Sequence, residues 1–269
     1  MRYLALVKYG AMDNIERFEF ADSSLQVGDP VVIRTRRGVE WGELVSKLGE
    51  IDENNDKRRN VTGEVLRKCT EDDRQQKKEI EEKEREEYKV CKDLIRQYKL
   101  PMKLVSVEHL LGGHKIIFFF LADGRVDFRK LVKTLAQKYK TRIEMRQIGT
   151  RDEARLLGRF GQCGRELCCR RFMHELKPVP MKMAKRQKST LDPAKISGRC
   201  GRLKCCLRFE DQLYQEFKKT LPRRGATVKT AAGEGVVQSR KVLQQTVVVK
   251  LGEGNKQSFP VEDIEVIKD

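Results

Sequence analysis

The sequence has no stretch that approaches the roughly 20 apolar residues a membrane-spanning helix needs, so a helical membrane protein is not expected. Its opening, Met1-Arg2-Tyr3-Leu4-Ala5-Leu6-Val7-Lys8, is too short and too charged for a signal-peptide core, and a cytoplasmic, reducing setting is expected. Histidine occurs three times and tryptophan once. No Ser/His/Asp arrangement, paired carboxylates or phosphate loop argues for hydrolysis or nucleotide use. RNP, KH and helix-turn-helix signatures are also missing. Cysteine is scarce everywhere except in one region, and that region dominates the reading.

Between Gly161 and Phe209 the chain repeats itself. Gly161-Gln162-Cys163-Gly164-Arg165-Glu166-Leu167-Cys168-Cys169-Arg170-Arg171-Phe172 and Gly198-Arg199-Cys200-Gly201-Arg202-Leu203-Lys204-Cys205-Cys206-Leu207-Arg208-Phe209 both fit G-x-C-G-R-x-x-C-C-x-R-F. Matching positions are 37 apart, and six of the eight cysteines fall in the repeats. In a reducing compartment, clustered cysteines point to metal binding or redox chemistry rather than to a disulfide framework. Arg165, Arg170, Arg171, Arg202 and Arg208 would favour the thiolate form that ligation needs. The spacing fully matches neither the paired C-x2-4-C of zinc sites nor a complete ferredoxin run, although its C-x4-C half occurs in the plant type. One site could take Cys163, Cys200 and one vicinal cysteine from each repeat. Alternatively each repeat holds part of a separate site completed by a partner. A redox-active vicinal dithiol and plain buried cysteines are the competing readings. His174 is close enough in sequence to Cys169 to weigh as a ligand or base, with a structural role favoured. Phe172 and Phe209 could shield a site or stack on bases.

Formal net charge is +17, and Lys140 to Arg224 alone holds 23 Lys and Arg against 9 Asp and Glu, a net +14. Such a field attracts polyanions, RNA above all, and the five repeat arginines are candidate nucleic-acid or partner contacts.

The rest of the chain reads as an α+β protein. Residues 1–60 carry short strands at Tyr3 to Val7, Phe18 to Phe20, Val31 to Ile33 and Trp41 to Val45, which suggests a small antiparallel barrel with Trp41 in its core. Residues 61–100 form a charged helical arm. Thr70 and Asp73 make a capping box, and Tyr88, Cys91, Leu94, Ile95 and Tyr98 give an apolar stripe. Its C-terminal end should dock while its N-terminal end projects into solvent. Cys69 and Cys91 are not expected to be ligands. Residues 101–160 read as β-β-α-β: Lys103 to Leu110, a turn at Gly112-Gly113, Lys115 to Ala122, a helix over Asp127 to Lys138, and Thr141 to Ile148. A helix over Arg151 to Leu157, capped by Thr150 and Glu153, follows. His109 and His114 are expected as polar surface or core residues. Residues 161–210 are the cysteine repeats, with a basic turn at Met181 to Lys188 packing through its methionines. Residues 222–269 carry strands at Ala226 to Thr230, Gly235 to Ser239, Thr246 to Leu251 and Ile264 to Ile267, which suggests a second, SH3-like barrel.

The repeats, taken with Val126-Asp127-Phe128-Arg129, Thr141-Arg142-Ile143-Glu144, Arg146-Gln147-Ile148-Gly149, Arg151-Asp152-Glu153-Ala154 and Lys195-Ile196-Ser197-Gly198, resemble the bacterial RicT (YaaT) family. That family carries the conserved C-terminal region first named for a yeast polymerase suppressor. The close match runs from about Pro101 to Glu210, and the C-terminal barrel lies outside it. The resemblance implies a non-enzymatic adaptor that joins two small helical partners, RicA-like and RicF-like, and acts with RNase Y in mRNA maturation. It also implies iron-sulfur clusters of the 4Fe-4S type and, in spore-formers, effects on sporulation, competence and biofilm development. The family's cysteines carry over onto Cys163, Cys168, Cys169, Cys200, Cys205 and Cys206. The rival expectation is a zinc-stabilised RNA-binding module without redox chemistry.

Overall fold

The computed structural model describes residues 2–50, 61–174 and 176–268. Residues 51–60, placed above in the N-terminal barrel domain, lie outside the described residues. The chain divides into two compact units, Met1–Glu175 with Arg199–Gly201, and Leu176–Gly198 with Arg202–Asp269.

The first unit opens with a closed barrel of β1 (Tyr3–Tyr9), β2 (Asn14–Phe20), β3 (Pro30–Arg34), β4 (Val39–Glu50) and β5 (Val61–Lys68). Strand order around it is β1-β2-β5-β3-β4. Every pairing is antiparallel except β2 with β5, so the barrel is mixed where an antiparallel one was expected. Its fifth strand lies in the stretch assigned above to the arm. Alternate residues of the strands point inward, and Val7, Phe18, Val31, Ile33 and Leu44 are fully buried. The long β4 pairs with both β1 and β3, and register shifts between Leu4 and Ala5 and between Leu6 and Val7 bend the sheet toward closure. Where β5 crosses, only glycine fits. A methyl group on Gly63 would stand 1.9 Å from the Arg34 carbonyl oxygen and 3.2 Å from the Phe18 ring.

Helix α1 (Glu71–Gln97) follows. Thr70 Oγ1 accepts from the Asp73 N–H at 3.3 Å, and Asp73 Oδ2 accepts from the Thr70 N–H at 2.8 Å, the expected capping box. Arg67 also grips Asp73 (Nη2 to Oδ1 2.8 Å), and this holds its carboxyl well below the usual carboxylate range. The N-terminal half of the helix does not project freely as expected. Ile80 is buried in a cluster with Val32, Cys69 and Leu111, and Trp41 packs on the same cluster. The buried face reads Asp73, Ile80, Glu87, Cys91, Ile95, whole turns apart, and its two acids conceal it from a search for apolar periodicity.

The expected β-β-α-β unit is present as β6 (Lys103–His109), β7 (Lys115–Leu121), α2 (Arg129–Tyr139) and β8 (Arg142–Gln147). Strand β7 is central, antiparallel to β6 and parallel to β8 across the α2 crossover. Ile116, Ile117, Phe118, Phe119 and Phe120 are all buried, because both faces of the sheet are covered. One face packs Ile116 and Phe118 against Cys91 and Ile95 of α1 and Leu131 and Leu135 of α2. The other packs Ile117 and Phe119 with Ile148, Met12 and Leu156. Each fully buried side chain of this size contributes about 2 kcal/mol. Helix α3 (Thr150–Leu157) begins one residue earlier than expected. Its N-cap is Gly149, whose N–H donates to the Asp152 carboxylate at 3.2 Å, rather than Thr150 with Glu153.

Barrel and sheet are joined by a buried charge hub. Arg37 donates from Nη1 and Nη2 to both Glu108 carboxylate oxygens (3.0 and 2.8 Å) and from Nε to Glu40 Oε1 (3.0 Å). The Ala11 N–H donates to Glu108 Oε1 at 2.9 Å.

After α4 (Cys168–Arg171), the second unit contains α5 (Met181–Arg186), α6 (Pro193–Ile196) and α7 (Cys206–Lys219). Of the two α5 methionines expected to pack, Met183 is buried and Met181 is exposed. Arg186 pairs with Asp211 of α7 at 2.6 Å. The strands β9 (Thr227–Thr230), β10 (Gly233–Lys241), β11 (Thr246–Lys250), β12 (Lys256–Pro260) and β13 (Glu265–Lys268) form a five-stranded antiparallel sheet, order β12-β11-β10-β9-β13. Its core is Leu221, Val228, Val237, Val247, Val249 and Phe259. No helix among the described residues is long and apolar enough to cross a membrane.

Two predictions follow from this packing. Gly63→Ala should destabilise the protein by roughly 1–3 kcal/mol, the usual cost of overpacking, seen as a lower urea midpoint; an unchanged midpoint would contradict the close approach of β5 to β3. Glu84 of α1 accepts from the His109 N–H at 2.8 Å, and burial pushes its carboxyl up from 4.5 to about 7. Its contribution is complete below about pH 4.5 and is lost as pH rises through about 7. The stability difference between Glu84→Gln and the parent should therefore move by up to about 3 kcal/mol in favour of the variant across that window, at about 1.4 kcal/mol per pKa unit. Urea titrations at several pH values check this, and a difference independent of pH would refute it.

Candidate functional site

The two cysteine repeats fold alike. In the first, Phe160 bridges Glu166 in antiparallel fashion, and the Gly161 N–H donates to the Arg165 carbonyl at 2.8 Å. In the second, Ser197 bridges Leu203, and the Gly198 N–H donates to the Arg202 carbonyl at 2.7 Å. Gly164 and Gly201 both turn the chain with positive φ, +74° and +73°, a conformation that only glycine adopts without strain. The chain then leaves each hairpin by the same bonds. The Leu167 N–H donates to the Arg159 carbonyl at 3.0 Å, and the Lys204 N–H to the Ile196 carbonyl at 2.9 Å. A helical turn starts at the vicinal pair in both, with Phe172 N–H to Cys168 carbonyl at 3.0 Å and Phe209 N–H to Cys205 carbonyl at 3.1 Å. The first turn stops as α4, while the second runs on as α7.

The thiols differ in setting. Cys163 is exposed at its hairpin tip, and its sulfur leans back over Gly161, where an added methyl group would lie 3.4 Å away. Cys169 is buried, and Cys168, Cys200, Cys205 and Cys206 are half-buried. Burial raises the Cys169 thiol pKa, the Arg155 guanidinium opposes that rise, and Cys200 is near enough to add to it. Cys169 and Cys200 both belong to the first unit. Among the described residues, however, no group of three or more His, Cys, Asp and Glu side chains could hold a metal ion.

Around Cys169 lies a polar network that sequence reasoning missed. Arg155 is 7% exposed; its Nη2 donates to the Asp13 carbonyl at 3.0 Å and lies 2.9 Å from His174 Nδ1. That contact makes Nδ1 an acceptor and leaves the proton on Nε2. Burial and the Arg155 charge lower the His174 pKa, which keeps the ring neutral and fits the structural role favoured above. Arg170 Nε binds Asp13 at 2.6 Å. Arg155 is separated from the repeats by sequence and looks like an ordinary helix-surface residue, so only the fold reveals it. Of the five repeat arginines, Arg165, Arg171 and Arg202 are exposed, Arg170 is held by Asp13, and Arg208 donates to the Lys177 carbonyl at 3.3 Å. Phe172 and Phe209, at equivalent positions, are 49% and 61% exposed.

A family model for the PSP1 C-terminal conserved region matches residues 63–148, and one for the third domain of PSP1-like proteins matches residues 178–221. The chain is 43% identical over 224 residues to "Stage 0 sporulation protein YaaT" of Bacillus subtilis (strain 168), covering 82% of this chain and 80% of that one. The chain belongs to the RicT (YaaT) family. It also shares 29% identity over 168 residues with an uncharacterized protein of Schizosaccharomyces pombe, covering 53% of this chain and 22% of that one. No solved structure matches. The similarity to YaaT takes in most of the chain, and the first cysteine repeat lies between the two regions matched by the PSP1 models.

The settings of the thiols rank their reactivity. Cys91 is fully buried and its thiol is pushed up to about 12; Cys69 is pushed up to about 11. Since the thiolate is the nucleophile, alkylation of the folded chain at about neutral pH should modify Cys163 first, with Cys69, Cys91 and Cys169 last. Peptide mapping by mass spectrometry checks the order, and Cys91 labelled as fast as Cys163 would contradict it.

Proposed function

We propose that this RicT (YaaT)-family chain is a non-enzymatic regulatory adaptor of the cytoplasm whose duplicated cysteine hairpins supply ligands to 4Fe-4S chemistry completed on assembly with small helical partner proteins of the RicA and RicF kind. In this reading the assembly promotes mRNA maturation by RNase Y. The name of the Bacillus subtilis relative, a stage 0 sporulation protein, supports a place in the control of development. The observation that carries the proposal is the repeated hairpin, which presents one cysteine at a tip and two at a helix start in the same backbone form twice. That the described residues hold no group of three such ligands supports including a partner in the reading.

A second reading, a zinc-stabilised RNA-binding module, draws support from the exposed Arg165, Arg171 and Arg202 in the most basic part of the chain. Co-expression with the partners and anaerobic purification separates the two. Iron with matching acid-labile sulfide and a visible chromophore is expected, lost when Cys168, Cys169, Cys205 and Cys206 are replaced by serine. Zinc in a colourless complex, with RNA affinity falling steeply with salt, would favour the second reading. Iron content indifferent to those serines would overturn the first.

A further inference from the structure

A cavity of about 430 Å³ in the second unit lies between α5, α7 and the turn that joins β10 to β11. Arg186, Lys188, Arg240 and Lys241 line it together with Tyr214 and Leu243, and none of its described lining residues is acidic. The four cations are engaged differently. Arg186 Nη1 is paired with Asp211 at 2.6 Å. The Lys188 ammonium donates to the Arg240 carbonyl, a partner that orients it without neutralising its charge, and an ammonium has three donors. Among the described residues, neither Arg240 nor Lys241 forms an ion pair. Like charges gathered around one cavity repel unless an anion enters it. The wall they stand on is fixed. Gln245 ends the turn, and its Nε2 donates to the Val242 carbonyl at 2.7 Å and to the Phe217 carbonyl of α7 at 3.1 Å. Its Oε1 accepts from Thr220 Oγ1 at 2.6 Å. Val242 is buried by this arrangement, whereas Leu243 beside it is 54% exposed, an apolar side chain held out among cations. Tyr214 is half-buried against the core of the sheet. Burial, aided by the charge of Glu210, raises its phenol pKa, so the hydroxyl keeps its proton and can donate.

We propose that this cavity binds one nucleotide of a single-stranded nucleic acid, with the phosphate among Lys188, Arg240 and Lys241 and the base against Tyr214 and Leu243. A single strand offers a charged phosphate and an apolar base face within one nucleotide, and cations beside an aromatic ring are how proteins hold it. A duplex buries those faces in its own stack. A phosphorylated peptide would satisfy the cations and leave Tyr214 and Leu243 without a planar partner. The volume falls in the range of small-ligand sites, which begins at about 300 Å³. Lys188, Lys241 and Leu243 are exposed, so the cavity opens to solvent and a strand can pass across it. The site goes beyond both readings given above. It uses none of the hairpin arginines and is the same whether the hairpins hold iron or zinc.

Fluorescence anisotropy of the full chain with labelled oligouridylate and oligothymidylate, at several salt concentrations, tests the site. Both strands are expected to bind, and the tighter one names RNA or DNA as the source. The double variant Arg240→Gln, Lys241→Gln should weaken binding about tenfold or more and lower the salt slope by about 1.4, the share of two phosphate contacts on a single strand. Leu243→Ser should weaken it several-fold. Lys250→Gln with Lys256→Gln removes the same charge at the far end of the same sheet, where the two lysines face each other across β11 and β12, and should change affinity about twofold at most. Should the first double variant fail to fold, Lys188→Gln and Leu243→Ser, both at exposed positions, carry the comparison. Equal losses in the two double variants would reduce the effect to general charge and overturn the proposal. Undiminished binding by the cavity variants would overturn it too, by placing the strand elsewhere on the chain, and would leave the readings of the hairpins untouched. So would a duplex bound as tightly as the single strand, or a phosphoserine peptide that displaces the strand as well as unlabelled oligonucleotide does.

Discussion

The first unit depends on Arg37. Burial works against its charge, but the hydrogen bonds to Glu40 and the charge of Glu108 outweigh that cost and hold its pKa above the ordinary arginine value. Glu40 belongs to the barrel and Glu108 to the central sheet, so one guanidinium ties together two elements far apart in sequence. Removing either acid would leave Arg37 with a single carboxylate partner, and removing Arg37 would leave the buried Glu40 and Glu108 without their shared cation. The geometry reaches into the backbone. Gly10 has a positive φ, and an added methyl group there would meet Arg37 Nη2 at 3.1 Å and Glu108 Oε1 at 3.2 Å.

The features legible in the sequence were those written in local chemistry. The capping box at Thr70 and Asp73, the continuous apolar run of β7, the Gly112-Gly113 turn and the ordered repeat of six cysteines all depend on near neighbours. What was hidden needed a partner from far along the chain. Strand β5 has one buried residue, Val65, and it is defined by its pairing with β2 and β3. Strand β12 likewise has only Phe259 buried. The N-terminal half of α1 looked solvated because its inward face includes the charged Asp73, whose counterpart Arg67 comes from another element. Barrels were expected at both ends; the strand pairing closes on itself in the first, and in the C-terminal sheet it runs between edges at β12 and β13.

The cysteine region divides in the same way. Spacing was enough to find the thiols, and the fold adds that Gly164 and Gly201, after the first cysteine of each repeat, both have positive φ. Spacing was silent on environment. Cys169 sits beside a buried arginine and a neutral histidine, and Cys163 stands in solvent, although both occupy the same motif. A motif specifies which atoms are offered. The surrounding fold specifies how reactive each one is.

The hairpin satisfies its own backbone. Its turn, its bridge and the start of its helix are closed by main-chain bonds, so the form does not rely on what sits at the variable positions. Those positions differ between the copies, with Gln162, Glu166, Leu167 and Arg170 in the first standing where Arg199, Leu203, Lys204 and Leu207 stand in the second. Such a unit is modular in the sense that its backbone form recurs within one chain. It can be placed twice in one polypeptide, keep its three sulfurs in the same local frame, and adapt each copy's outer surface to a different neighbour.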